Sequence, residues 1–358
     1  MFGAGPGIKL GRILGVEVLV DWLFILVLGV LWFNLNTSLR NRGYAREAAV
    51  LAAIAAAGFF LSVLIHELSH SLMAKARHLP VTRIRLHLFG GASELGSDTA
   101  SAGDEFIVTA VGPGSSFALA GLLHLMARSS SGGIASIFGL LAFLNLSLGI
   151  FNVIPAFPLD GGRILRAVVW GATHNRTTGT TVAARSGQVL GVLMIVGGAI
   201  SAVTRDPFDL WFCLIGWTIV TTATGTLKGL VAHRALDDTV AADLMWDRPL
   251  AVHPEESLAR LAPTLEDAPY PAFPVVDDLG RVVGMLDLEH LDLSGTQIVA
   301  AVMGPPGPMV QPLTPGPEVL EALRAGGGAH IAVVDPAGRL VGLVTAGTLT
   351  HALQQREH

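Results

Sequence analysis

The sequence predicts an α-helical polytopic membrane protein with six transmembrane helices, followed by a water-facing α/β domain. Of its 358 residues, 51% are hydrophobic and only 14% are charged, whereas a soluble domain carries about 25% charged residues. Residues 1–234 have a net charge of +6 and residues 235–358 of −11, and all the long apolar runs lie in the first part. This composition excludes a disordered or collagen-like chain, and the net charge of −5 argues against nucleic acid as a partner.

Six stretches are long and apolar enough to cross a bilayer, which needs about 20 mostly apolar residues. They are residues 14–34, 48–68, 106–127, 134–158, 186–204 and 208–227. Lys9 and Arg12 precede the first stretch and no small-residue cleavage site follows it, so we read it as a signal-anchor rather than a removed signal peptide.

Basic residues in the short loops predict the orientation in the membrane. With the N-terminus inside, the inner segments hold twelve Lys and Arg and the outer loops hold five. We therefore expect a multi-pass protein of the cell (plasma) membrane, with both termini in the cytoplasm. The membrane domain would comprise residues 1–234 and the cytoplasmic domain residues 235–358, joined by a linker at residues 235–243.

The second apolar stretch ends in a motif that is typical of metal sites, His66-Glu67-Leu68-Ser69-His70. Two histidines four residues apart lie on one face of a helix and can hold one Zn²⁺. Glu67 lies beside the first histidine, where it can act as a general base. In a soluble helix the motif could equally be a solvated polar turn, but ionisable groups are costly in an apolar helix, which favours a metal site.

The best candidate for a third ligand is Asp160, after the fourth stretch, in the segment Asn152-Val-Ile-Pro-Ala-Phe-Pro-Leu-Asp160-Gly161-Gly162. The prolines end the helix and the glycines permit tight turns, so Asp160 would lie on irregular backbone at membrane depth. Such backbone is tolerated only inside the protein or along a water-filled cavity. The alternative is an ordinary cytoplasmic turn at residues 160–162.

The two motifs together resemble the site-2 protease family, the intramembrane zinc metalloproteases. The resemblance covers the whole membrane half. It implies that His66, His70 and Asp160 are the ligands of one Zn²⁺ per chain and that Glu67 is the catalytic acid/base. It also implies a single-span membrane protein in the lipid bilayer as the substrate.

Two asparagines on the fourth helix are candidates for substrate positioning. The resemblance implies that Asn152 helps hold the substrate strand or the developing oxyanion, and Asn145, seven residues earlier, lies on nearly the same helix face. Hydrogen bonding between helices is the alternative role for both.

Residues 81–89 alternate polar and apolar side chains, which predicts a strand. Gly90 and Gly91 then turn the chain, so we predict a membrane-associated β-hairpin whose edge could pair with an extended substrate. A hairpin that merely covers the helix ends is the alternative, and His87 is read as a polar-face residue rather than a ligand. Residues 112–116 resemble the Gly-Pro segment of the family, with serines in place of its asparagine. We predict a helix break there, close packing through the small residues, and no chemistry.

The acidic domain contains an internal repeat: residues 272–287 recur at 330–345 with an offset of 58. Each copy reads as strand, turn and strand after an amphipathic helix, which resembles a tandem pair of CBS domains at about 240–295 and 298–356. The resemblance implies that the two copies pack together as a dimer within the chain and that such pairs often bind an adenine nucleotide; a homodimer through these domains stays open. Thr345 is the one weak candidate for nucleotide binding, because Thr348 replaces the acidic residue of the nucleotide signature. We favour a regulatory or dimerising module.

The sequence as a whole predicts an intramembrane zinc metalloprotease with a CBS module. Two other classes stay open. One is a channel or transporter regulated by its CBS domains, which would leave both motifs of the membrane half unexplained. The other is a zinc-binding scaffold without proteolytic activity, against which the intact Glu67 argues.

Overall fold

In the computed structural model the chain divides into two units, residues 1–227 and 228–358. The structure describes residues 7–41, 43–87, 90–95, 99, 101–204, 206, 209–288, 297–327 and 329–356, without the side chains of residues 82, 87, 90–95 and 354–356.

The first unit contains the six apolar helices that the sequence predicts. They are α1 (Trp22–Asn41), α2 (Ala48–Ala76), α3 (Ala102–Arg128), α4 (Gly132–Val153), α6 (Arg176–Thr204) and α7 (Leu210–Ala235), each long and apolar enough to span a membrane. The boundary between the two units falls within α7. A shorter helix of 14 residues, α5 (Asp160–Thr173), lies between α4 and α6 and carries an apolar and a polar face.

The first predicted span starts too early, because residues 16–20 form a strand and not a helix. Strand β1 (Ile8–Ile13) pairs with β2 (Val16–Val20), and helix α1 begins only at Trp22. Alternation over a few residues and a short apolar run are hard to distinguish in sequence, and this run joins directly to the helix.

The predicted β-hairpin is present as β3 (Val81–His87) and β4 (Gly90–Leu95), and it belongs to a larger sheet. Strand β2 pairs with β3 in parallel, which gives a four-stranded sheet in the order β1-β2-β3-β4. Residues 88 and 89, the end of the predicted strand, lie outside the described residues. Gly90 and Gly91, where we predicted the turn, already belong to β4. One face of the sheet packs on α1 and α2 through a cluster of buried side chains: Val16, Val18, Val20, Phe24, Val63, Leu64, Ile84 and Leu86.

Glycines set the close approach of neighbouring helices in the first unit. A Cβ atom at Gly58 of α2 would lie 2.7 Å from Leu141 of α4, and one at Gly149 of α4 would lie 2.7 Å from Phe117 of α3. On α6, a Cβ at Gly191 would lie 2.6 Å from the carbonyl oxygen of Gly216 on α7. Small residues of this kind let membrane helices pack backbone to backbone.

The second unit is an α/β pair of repeats, as the sequence predicts. The first repeat contains β5 (Trp246–Asp247), α9 (Leu258–Glu266), β6 (Ala272–Val276) and β7 (Val282–Asp287) after the short helix α8 (Ala241–Leu244). The second contains β8 (Met309–Val310), α11 (Gly316–Ala325), β9 (His330–Val334), β10 (Leu340–Thr345) and α12 (Ala346–Arg356) after the short helix α10 (Val299–Val302). Strands β9 and β10 repeat β6 and β7 at the predicted offset. The sheets are β5-β10-β9-β8 and β6-β7.

Part of the segment that we read as a linker belongs to the core of this unit. Leu236 is fully buried among Val319, Leu323 and Val344, and the hydroxyl of Thr239 donates to the carbonyl oxygen of Leu236 at 2.8 Å. Polar residues surround Leu236 in the sequence, so the local composition resembles a linker although its one large apolar side chain is a core residue.

The two repeats carry matching charged turns. The backbone N–H and the guanidinium of Arg281 donate to the Asp277 carboxylate at 2.8 and 2.9 Å, and these bonds lower the pKa of Asp277. Arg339 donates in the same way to Asp335 and lowers its pKa. A carboxyl group whose folded pKa lies below its unfolded value, about 3.9, contributes stability above that pH and loses it as the pH falls through the folded pKa.

We therefore expect these turns to open when the pH falls below about 4. Amide exchange protection at Leu279 and Ala337, whose N–H groups donate to the same carboxylates at 2.9 and 2.8 Å, should fall in acid. In the Asp277→Asn, Asp335→Asn double variant the protection should depend less on pH, because no carboxyl group titrates. Equal pH dependence in both proteins would contradict this account.

Candidate metal centre

Helix α2 brings the two histidines of the motif together in the interior of the first unit. His66 and His70 are 3% and 4% exposed, and their Nε2 atoms lie 3.3 Å apart. They are one helical turn apart, so both imidazoles leave the same face of α2. Glu67, next to His66, is also buried.

Asp160 joins the histidines from a segment that is 94 residues away from His66 in sequence. Its Oδ2 atom lies 3.1 Å from Nε2 of His66 and 3.2 Å from Nε2 of His70. Helix α4 ends at Val153, the chain turns through residues 154–159, and α5 begins at Asp160 itself. The turn therefore delivers one carboxylate to the histidine pair, which is the arrangement that the sequence predicts.

The glycines after Asp160 allow this turn to fold tightly. A Cβ atom at Gly161 would lie 2.2 Å from the carbonyl oxygens of Val153 and Ile154, and one at Gly162 would lie 2.4 Å from the backbone nitrogen of Phe157. Backbone atoms cannot move aside as a flexible side chain can. Only glycine fits at both positions while Asp160 stays where it is.

The three ligand atoms suit a tetrahedral zinc ion. Ligands about 2.0–2.2 Å from a tetrahedral zinc are separated by about 3.3–3.5 Å, close to the 3.1, 3.2 and 3.3 Å found here. Two imidazoles and one carboxylate form the donor set of a catalytic zinc site, which leaves a fourth position open. His66, His70 and Asp160 therefore fit zinc in both number and spacing.

Helix α3 orients both histidines through their other ring nitrogen. His66 Nδ1 lies 2.9 Å from the Ser116 hydroxyl, and His70 Nδ1 lies 2.8 Å from the carbonyl oxygen of Val108. A hydrogen bond that Nδ1 donates leaves the Nε2 lone pair directed at the metal position, and the Ser116 hydroxyl can accept such a bond from His66. The carbonyl accepts, so His70 carries its proton on Nδ1.

Gly112 provides the space for the His70 ring. A Cβ atom at this position would lie 2.1 Å from His70 Nε2 and 2.3 Å from Cε1. Our prediction of a helix break at residues 112–116 was wrong, whereas the predicted close packing through small residues is present. Helix α3 continues through Pro113, and both Gly112 and Ser116 contact the histidine pair. The spacing of four residues between Gly112 and Ser116 on an apolar helix could have indicated that they share one helix face. Val108 contacts His70 through its backbone carbonyl, so no side-chain pattern could have indicated its role.

Loss of the Ser116 hydroxyl should weaken metal binding. We expect Ser116→Ala to lower zinc affinity by about 10–100-fold, the usual cost of removing a group that orients a metal-binding histidine. Ser115→Ala is the matched control, because the Ser115 hydroxyl donates at 2.7 Å to Gly112 of its own helix. Competition with a zinc chelator measures both variants, and equal affinities would contradict an orienting role for Ser116.

The other predicted site residues have different surroundings. Asn145 is fully buried, and its amide donates to the Ser62 hydroxyl on α2 at 2.9 Å and to Leu141 at 2.8 Å. The amide of Asn152 donates at 3.0 Å to Leu148 on its own helix. The side chain of His87 lies outside the described residues.

The Thr345 candidate lies in the second unit. Its hydroxyl accepts from the Thr348 N–H at 3.2 Å at the start of α12.

Three residues that could hold a metal ion, with a buried glutamate beside them on helices that can span a membrane, are the arrangement expected of a membrane-embedded metalloprotease. The comparisons with known proteins agree. Residues 54–132 and 123–196 match peptidase family M50, and residues 240–292 and 299–355 each match the CBS domain.

Relatives with the same overall extent exist in bacteria. The protein sll0528 of Synechocystis is 28% identical, over 97% of this chain and 95% of its own length. Rip3 of Mycobacterium tuberculosis is 28% identical, over 94% of this chain and 90% of its own length. Both carry zinc metalloprotease in their names. The solved site-2 protease of Methanocaldococcus jannaschii is 27% identical, covers 62% of this chain and 95% of its own, and has a TM-score of 0.46.

The helical unit therefore matches peptidase family M50 over residues 54–196, and the second unit matches a pair of CBS domains. The chain is a multi-pass membrane metalloprotease that is similar to zinc metalloproteases along most of its length. These findings support the protease interpretation and not the channel or the transporter.

Proposed function

We propose that the protein is an intramembrane zinc protease that hydrolyses a peptide bond in or near the transmembrane segment of a membrane-anchored, single-span protein. The observation that carries this proposal is the convergence of His66, His70 and Asp160 within 3.3 Å of one another in the interior of the helical unit.

In this proposal His66 Nε2, His70 Nε2 and Asp160 Oδ2 hold the zinc. When bound there, zinc polarises the scissile carbonyl and makes water a stronger acid at neutral pH. Glu67 accepts a proton from the attacking water on its carboxylate and later transfers that proton to the leaving amine. The Ser116 hydroxyl orients the His66 imidazole, and the Val108 carbonyl keeps the proton of His70 on Nδ1.

Asn145 and Asn152 remain our candidates for positioning the substrate. Asn145 is the better supported of the two, because its Oδ1 atom is buried and has no hydrogen-bond partner among the described residues. A buried acceptor of this kind can receive a bond from an N–H of a bound chain. The Asn145 amide also donates to Ser62 of α2, one turn before His66, so Asn145 contributes to the packing of α4 on α2 as well.

A substrate helix must unwind before it can be cut, because its carbonyl groups are shielded and already hydrogen-bonded. Strand β4 is an edge of the four-stranded sheet, and it pairs with β3 alone among the strands that the structure describes. An edge strand can accept an extended peptide by strand addition. We propose that β4 holds the unwound substrate segment in this way.

We also propose that both termini and the CBS pair lie in the cytoplasm of a cell whose plasma membrane holds the helical unit. The twelve basic residues of the predicted inner segments, against five in the outer loops, support this orientation. The CBS pair serves as a regulatory or dimerising module. Thr345 already bonds to Thr348, and the acidic charge of this unit disfavours an anionic nucleotide.

Cleavage by the purified full chain in lipid vesicles tests the proposal. We expect single-span reporter proteins to be cut within or near their membrane segment, as mapped by mass spectrometry. A zinc chelator should stop cleavage and added zinc should restore it. Zinc binding without cleavage of any reporter in a diverse single-span library would favour the scaffold, and ion or solute flux that is independent of zinc would favour a channel or transporter.

A further inference from the structure

One charged pair is buried between helices of the membrane unit and plays no part in the mechanism above. Glu105 on α3 is fully buried. Its Oε1 atom accepts from Nε of Arg166 on α5 at 2.7 Å and also from Nη2 of the same side chain. Arg163, one turn earlier on α5, approaches the same oxygen at 3.9 Å.

The pair joins α5, which begins at the proposed ligand Asp160, to α3, which contacts both histidines. Helix α5 begins at Asp160, so Arg166 lies less than two turns after the proposed ligand. Helix α3 supports the histidines, and Val108, whose carbonyl receives His70 Nδ1, lies three residues after Glu105. A change in the distance between α3 and α5 would therefore move the carboxylate relative to the imidazoles.

Arg166 also packs against the turn that delivers Asp160. Its guanidinium lies 5.2 Å from the centre of the Phe157 ring, and the backbone N–H of Phe157 donates to Ala183 on α6 at 3.1 Å. The guanidinium thus contacts both Glu105 on α3 and the turn between α4 and α5. Cation–π contacts of this type are directional and hold a side chain in one place.

A buried ion pair is a poor source of stability, because removing two charges from water offsets most of their attraction. The second carboxylate oxygen of Glu105 has no hydrogen-bond partner in the part of the chain that the structure describes, which makes the desolvation cost larger. An arrangement that contributes little stability but fixes two helices in register points to a role in positioning.

We propose that the Glu105–Arg166 pair is a positioning device that holds Asp160 at the correct distance from His66 and His70. This inference rests on the proposed metal centre. It predicts that the pair controls metal affinity and metal geometry beyond its effect on stability.

The test compares Glu105→Gln with Asp104→Asn in the full-length protein. The two acidic residues are adjacent on α3, but Asp104 is partly exposed and pairs at 3.0 Å with Arg77, the residue directly after α2. Each protein is measured for zinc affinity by chelator competition, for the absorption spectrum of bound Co²⁺, and for melting temperature without metal. We expect Glu105→Gln to bind zinc about 10–100-fold more weakly and to show an altered Co²⁺ spectrum, with Asp104→Asn like the wild type in both.

A double variant, Glu105→Gln with Arg166→Gln, separates positioning from simple loss of stability. It removes both charges of the pair, and Arg163, which also approached Glu105, is partly exposed to solvent, so the melting temperature should return toward that of the wild type while zinc affinity stays low. This variant also serves if Glu105→Gln alone does not fold. Wild-type zinc affinity and Co²⁺ spectrum in either variant would overturn the positioning role. A wild-type protein that binds no zinc would instead overturn the metal centre itself.

Discussion

Glu67→Gln is expected to reduce the rate of substrate cleavage by about 10²–10⁴-fold, the contribution typical of a general acid or base. Glutamine has nearly the same shape as glutamate but cannot accept and return a proton. The side chain is buried beside His66 on α2, and it supplies none of the three atoms that converge at the proposed metal position. We therefore expect zinc affinity and melting temperature close to those of the wild type.

Ser69→Ala is the matched control for this variant. Ser69 lies within the same motif, and its hydroxyl donates to Ile65 of its own helix at 2.7 Å, so its loss should leave the cleavage rate nearly unchanged. Initial cleavage rates of the two variants and the wild type are compared on a reporter substrate, and zinc content is measured in the same samples. Wild-type cleavage by the Glu67→Gln protein would remove this residue from the mechanism.

Gly112→Ala is also expected to reduce the rate of substrate cleavage strongly. The reduction would come from weaker zinc binding and not from impaired proton transfer. The new methyl group would lie 2.1 Å from His70 Nε2, well inside contact distance. The imidazole must move, and both its bond to the Val108 carbonyl and its distance to Asp160 must change. We expect zinc affinity to fall by at least about 10–100-fold, and cleavage to fall with it.

Gly114→Ala provides a control two residues further along the same helix. A Cβ atom at Gly114 meets nothing within 4 Å among the described atoms, and alanine favours a helix over glycine by about 1 kcal/mol. This variant should keep its zinc and melt at the same or a slightly higher temperature. Equal zinc affinity in the two alanine variants would show that Gly112 does not confine His70.

The convergence of His66, His70 and Asp160 could be predicted because each lies in a local motif that is recognisable in the sequence. His66 and His70 are one turn apart on a helix that its hydropathy alone predicts. The prolines and glycines around Asp160 indicate an irregular turn. The structure places these three side chains together. Their roles as ligands and the role of Glu67 remain predictions.

What supports the ligands could not be predicted in the same way. Ser116, Gly112 and the Val108 carbonyl contact the histidines because α3 packs on α2 at one particular register, and no local pattern specifies that register. Glu105 and Arg166 are 61 positions apart. Taken alone in the sequence, each indicates only a charged residue near the end of an apolar segment.

The limits of local patterns also explain the differences in the fold. Residues 16–20 are apolar enough to extend the first helix, yet they form β2 because β1 and β3 supply hydrogen-bonding partners on both sides. Leu236 lies in a segment of linker-like composition but fills the core of the second unit. In both cases tertiary contacts decide between alternatives that the sequence leaves nearly equal.

Zinc content per chain is the most direct test of whether the two distant segments hold one zinc ion. Purified wild-type protein should contain about one zinc per chain. His66→Ala and Asp160→Ala should both lose most of it, because each removes one of three proposed ligands whose atoms lie 3.1–3.3 Å apart. An Asp160→Ala protein that retains its zinc with wild-type affinity, or a metal-free wild type after purification in zinc, would contradict the account.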